Sequence, residues 1–194
     1  DDATSYAVIN ALIVGLCGVT SGVVGGWAAD KIAAWTVDQQ QQSLESGSST
    51  VSVPALDENA GRLIVTIVGS LLAVPAWYLT THASTFDGAM GWLAIEYLVA
   101  ECWFGPTVAV LQSEVGKSQG GTAQGLFTLT GAIGNLAPSI LGVLYGQQAN
   151  IANAVNNSAI LSDLLANGVC AGYFLSAVCF AVSATKQQER KSIA

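Results

Sequence analysis

Few residues in this chain of 194 carry charge. Lys and Arg number six, Asp and Glu thirteen, and together they make 10% of the sequence. Ordinary globular proteins carry about 25%. Six basic side chains are too few to track a phosphate backbone, which excludes a nucleic-acid binder. There is one histidine. Cys17, Cys102, Cys170 and Cys179 lack the close paired spacing of a zinc or dithiol site and read as small buried hydrophobes. No metal site and no other cofactor is therefore expected. A membrane-embedded enzyme needs a nucleophile–base or metal constellation. None is present, so no catalytic residue is assigned and the chain is not read as an enzyme. Gly116-Lys117-Ser118 resembles the end of a phosphate loop, but Leu111 stands where its first glycine belongs. There is no initiator Met and no signal-peptide pattern, and the chain is expected to be a piece of a longer one.

Apolar residues, by contrast, make 52% of the sequence, which excludes a disordered chain. They fall into five runs, expected as helical spans over about 6–29, 63–81, 89–113, 121–146 and 164–185. A helical crossing takes about 20 apolar residues, whereas a barrel strand takes about 10 with strict alternation. These runs have the length without the alternation. The fold class is all-α, a polytopic transmembrane helical bundle forming one domain over 1–194, with the lipid bilayer as its surroundings. Between the first two runs, about 35–59 is a Gln- and Ser-rich, low-complexity loop, expected to be disordered.

If the five spans alternate, Lys31, Arg62, Lys117, Lys186, Arg190 and Lys191 all fall on one side, which the positive-inside bias makes cytoplasmic. The C-terminus is then cytoplasmic and the start of the chain faces outward, so a preceding span is expected. Which membrane the protein occupies is left open. Asn156-Asn157-Ser158 is a glycosylation sequon on the non-cytoplasmic side, making Asn156 a modification candidate or a chance match.

Within the spans, Glu96 and Glu101 are the residues most able to carry chemistry. A carboxyl at mid-membrane depth costs several kcal/mol and turns toward a bundle interior or wet cavity. Separated by about 7 Å along the axis and about 140° around it, the two do not face one cavity squarely. One lines a path while the other bonds a neighbouring helix, and either is a candidate proton carrier; a protonated, purely structural Glu is the alternative. Gly105-Pro106 just beyond them predicts a kink. In the fourth run Gln124, Thr128, Gly131, Asn135, Ser139 and Gly142 share one face, suited to a cavity wall or to close helix packing, with a bend at Pro138. Gly18, Gly22 and Gly26, and the pairs Gly121/Gly125, Gly142/Gly146 and Gly168/Gly172, have the spacing of small-residue helix contacts. His82 reads as a solvated residue at the outer end of the second span.

The segment Gly25-Gly26-Trp27-Ala28-Ala29-Asp30-Lys31 resembles the signature of the major facilitator superfamily at a cytoplasmic helix junction. The Gly-Arg pair that completes that signature follows only at Gly61-Arg62, past the Gln/Ser-rich stretch. Residues 112–123 resemble the turn before the eleventh helix of such transporters, and Gly134-Asn135-Leu136-Ala137-Pro138-Ser139 resembles the spinster-like branch. The resemblance implies a twelve-helix fold of which helices eight to twelve are present, with the N-terminal half of the same chain as partner. It implies alternating-access transport of a small organic solute, including proton-coupled secondary transport. Glu96, Glu101, Gln124, Thr128 and Asn135 would serve solute or proton, and Gly26, Asp30, Lys31 and Arg62 would form a cytoplasmic latch. The competing expectation is a non-transporting receptor or scaffold on the same fold.

Overall fold

The computed structural model describes residues 2–45, 56–116, 118–149 and 157–193. Lys117, Asn156 and residues 46–55 of the low-complexity stretch lie outside them. Helix α1 (Asp2–Leu12) continues through a π-helical turn (Ile13–Gly18) into α2 (Val19–Glu45). Then come α3 (Glu58–Thr81), α4 (Phe86–Ala100), a 3₁₀ turn (Glu101–Trp103) and α5 (Phe104–Glu114). Helices α6 (Gly120–Gly134), α7 (Ala137–Ala149) and α8 (Asn157–Ile193) complete the chain, and no strand occurs among the described residues. Five helical stretches are long and apolar enough to cross a membrane: Ser5–Gln39, Glu58–Thr81, Phe86–Glu114, Gly120–Gln147 and Ala159–Arg190. They are called spans one to five below. Leu16, Val23, Leu126, Phe174 and other large apolar side chains cover the outer surface, as a hydrocarbon solvent favours.

Expectation and structure part at the polar segment after span one. The loop expected from residue 35 is helical as far as Glu45, so the Gln39–Gln42 run lies on α2. Glutamine and alanine are good helix formers, and a helix already nucleated in the span extends at little cost. The whole rod over residues 2–45 is about 65 Å long, twice the hydrocarbon thickness of about 30 Å.

Helix α3 is the central one. Asp57 caps it, its carboxylate accepting from the N–H groups of Asn59 at 2.9 Å and Ala60 at 3.3 Å. Ala60, Leu63, Thr66, Gly69, Ala73 and Ala76 are buried at steps of three or four, so small side chains let neighbouring backbones approach. Pro75 sits inside it without ending the helix. Helix α8 packs antiparallel along α3 over its whole length. The Trp77 indole donates to the Leu165 carbonyl at 3.0 Å, the Cys170 thiol to Val74 at 3.4 Å, and the Ser162 hydroxyl to the Thr81 carbonyl. At the opposite end the Asp57 N–H donates to Gln188 Oε1 at 2.7 Å. His82 is exposed, as expected of a solvated residue, and also stacks on Tyr78 with centroids 4.2 Å apart and lies 3.5 Å from Asp163.

Helices α2 and α4–α5 flank α3 and meet at the 3₁₀ turn. The crossing is tight. A Cβ on Gly25 would lie 2.5 Å from that of Cys102, and one on Gly69 would lie 2.6 Å from the Val99 carbonyl oxygen. Of the expected glycine contacts, Gly18 faces Glu101 and Tyr97, Gly168 receives Leu141, and Gly22 and Gly26 lie against Gly105. Gly121, Gly125, Gly142 and Gly146 have open space where a Cβ would stand, so the contact expected of those pairs is not made among the described residues.

Span four is the most loosely held. It breaks at Asn135–Leu136, where Pro138 has no N–H for the carbonyl four residues earlier. Its first half touches α5 through Phe127, whose ring centroid lies 6.0 Å from Trp103 and 6.2 Å from Phe104. The second half lies along α8.

Candidate functional site

Glu96 and Glu101 flank the point where α4 gives way to the 3₁₀ turn. The cause of that turn is three residues beyond it. Pro106 offers no N–H to the Cys102 carbonyl, and its ring crowds that carbonyl, so the chain tightens before resuming as α5. Glu96 is 3% exposed. Its carboxylate accepts a hydrogen bond from the Tyr173 hydroxyl of α8, which makes it the member of the pair bonded to a neighbouring helix. Glu101 is half-buried and faces Gly18, at the end of the π turn of span one. It has no hydrogen bond or ion pair among the described residues. The two carboxyls lie within electrostatic range of each other and of the phenols of Tyr97 and Tyr173. No Lys or Arg belongs to this cluster; those described stand at one end of the bundle.

Tyr173 also lines an open groove of about 490 Å³ between α7 and α8. Ile140, Leu141, Gly168, Gly172 and Ser176 supply most of its other walls. The groove is thus apolar, with a single phenol linking it to the buried carboxyl. A second, apolar groove of about 260 Å³ lies between α3 and α4, lined by Val65, Val68, Leu98 and Val99 among others.

The stripe on span four is not brought to this cluster. Thr128 and Asn135 are exposed, Thr128 bonding its own helix at the Gln124 carbonyl (2.9 Å). Asn135 closes α6, its N–H donating to Gly131 at 3.1 Å. Ser139 and Gly142 are exposed too. Gln124 alone of the three expected polar path residues turns partly inward, its Oε1 buried without a hydrogen-bond partner.

At the bundle end that carries the basic residues, Asp30 and Arg62 come close together. Arg62 Nε lies 3.5 Å from Asp30, while its Nη2 lies 2.7 Å from Glu58 and its Nη1 3.3 Å from Asn59. Lys31 takes no part, standing 6.0 Å over the Trp27 ring instead. Gly26 lies against Gly105 of α5, but the position with no room for a side chain is Gly25. A further ion pair joins Arg190 of α8 to Glu114 of α5 at 2.7 Å. Sequence reasoning missed it, and it missed Tyr173, although this phenol stands near the middle of an otherwise apolar run.

Among the described residues no group of three or more His, Cys, Asp or Glu is placed to hold a metal. No family model matches the chain, and no curated protein or solved structure matches it.

Proposed function

We propose that the chain is the C-terminal half, helices eight to twelve, of a twelve-helix secondary transporter of the major facilitator type. In this reading it moves a small organic solute by alternating access, coupled to protons. The observation that carries it is Glu96: a carboxyl buried in span three, bonded to Tyr173 of span five, beside an open groove. A buried ionisable group inside a helical bundle is expensive to keep and marks substrate or proton pathways. Release of the Tyr173 bond when the groove opens would alternately expose and bury the carboxyl, which is what a proton carrier requires. The paired Asp30 and Arg62 support a cytoplasmic latch between spans one and two. The basic residues at that end favour its facing the cytosol.

The test is uptake by the complete protein in liposomes across an imposed pH gradient, offering a panel of small organic acids, amines and sugars. Solute-dependent proton movement above empty vesicles is expected, lost in Glu96→Gln. Uptake and pH dependence that survive both Glu96→Gln and Glu101→Gln would falsify the coupling role. Absence of counterflow for every solute would favour a receptor or scaffold.

A further inference from the structure

His82 is the only histidine of the chain, and it closes α3 as its C-terminal cap. Both of its ring nitrogens face oxygen atoms. Nδ1 lies 3.0 Å from the Tyr78 carbonyl oxygen and 3.1 Å from Thr81 Oγ1, and Nε2 lies 3.5 Å from Asp163 Oδ1 of α8. The Thr81 hydroxyl is itself directed at the carbonyls of Trp77 (3.3 Å) and Tyr78 (3.0 Å), so it too presents its oxygen to the ring.

A neutral imidazole carries one N–H and one lone pair. With the hydrogen on Nδ1, the Nε2 lone pair points at a carboxylate. With the hydrogen on Nε2, the Nδ1 lone pair points at the Tyr78 carbonyl. Only the imidazolium, with an N–H on each nitrogen, meets an acceptor at both. Two further features favour the cation. A positive charge at a helix C-terminus is stabilised by the helix dipole. The ring also stacks on the Tyr78 phenol, 4.2 Å between centroids, where a cation is attracted to the aromatic face. Asp163 is the charged group that faces the ring from α8, and Tyr78 is the titratable one on α3 itself. Asp87, in the first turn of α4, joins no ion pair among the described residues.

We propose that His82 and Asp163 form a proton-binding site that fastens the end of span two to the start of span five. With Nδ1–H bonded to the Tyr78 carbonyl, the proton taken up from the aqueous phase adds to Nε2, and the N–H so formed donates to Asp163. Its loss returns the proton to water and leaves a lone pair against the carboxylate. The fastening is therefore present while the ring is charged. It is lost as the pH rises through the range, about 5–8, in which histidines change charge. The neighbouring bond from the Ser162 hydroxyl to the Thr81 carbonyl joins the same two helices without a charge and does not respond to pH. The site lies at the bundle end opposite Arg62 and Arg190. It is separate from the Glu96–Tyr173 bond and stands whether or not the chain transports a solute.

The experiment is a double-mutant cycle read by thermal unfolding of the complete protein in lipid nanodiscs. Wild type, His82→Gln, Asp163→Asn and the double variant are compared at about pH 5.5 and about pH 8, either side of the histidine range. Both residues are exposed, so the substitutions leave the packing of the bundle intact. Other titrating groups contribute alike to all four proteins, and the failure of the two substitutions to add isolates the pair. At the lower pH each single variant is expected to lose about 1–2 °C in Tm, the size of effect an exposed ion pair produces, and the double variant no more than either. At the higher pH the effects of the two substitutions are expected to add. Additive effects at the lower pH overturn the site. Equal non-additivity at both pH values overturns it as well, because the contact would then form without the proton.

Discussion

Tyr173 of α8 donates its phenolic hydrogen to Glu96 of α4, joining residues 77 positions apart across the bundle interior. Tyr173→Phe strands the Glu96 carboxyl, and a loss of about 1–3 kcal/mol is expected. Glu96→Gln keeps an amide oxygen to accept the same bond and should cost less. Thermal unfolding of both variants in detergent reads the difference; equal losses would mean that the bond contributes little.

The crossing at Cys102 makes a sharper prediction. Gly25→Ala and Gly69→Ala each force a methyl group into backbone or thiol atoms, and about 1–3 kcal/mol of destabilisation is expected. Gly26→Ala meets open space and gains helix propensity, so it should be neutral or stabilising by up to about 1 kcal/mol. Thermal midpoints of the three variants check the order. A Gly26→Ala protein less stable than Gly25→Ala would contradict the packing.

That contrast also shows what the sequence could reveal. Span number and helical character were legible because length and hydropathy act on every residue of a run. That Asp30 and Arg62 would meet was implied only by the resemblance of 25–31 and 61–62 to a split family signature; charge at helix ends gave the side, and no pairing. Which glycine is crowded was not: Gly25 and Gly26 are adjacent in sequence and differ by about 100° in azimuth, so only the crossing geometry separates them. The π turn left no signal in residue type, and Tyr173 differs from its apolar neighbours by one hydroxyl. Residues 35–45 were misread as loop because polarity alone says nothing about whether an existing helix continues.

Arg62 divides its guanidinium between Glu58 and Asp30, the latter 72% exposed. Exposed pairs contribute little, so Asp30→Asn should change stability by less than about 1 kcal/mol. If the pair is a latch, uptake by the complete protein falls all the same while Tm stays constant. Unchanged uptake would reduce Asp30 to a solvated surface charge.

The antiparallel register of α3 and α8 puts Asp163 and Arg190 at opposite ends of one long helix. In sealed vesicles, with the four native cysteines replaced by alanine, Asp163→Cys and Arg190→Cys should react with a membrane-impermeant maleimide from opposite faces, each only when its own face is outward or after permeabilisation. Labelling of both from the same side contradicts the span assignment.

The break at Asn135–Leu136 divides the labour of span four. Phe127 ties the part before it to α5, and Leu141 fits against Gly168 in the part after it. The interruption is therefore an elbow in shape: the forearm beyond it is moored to α8 at the recess that Tyr173 lines, and the upper arm is moored by its aromatic grip on α5.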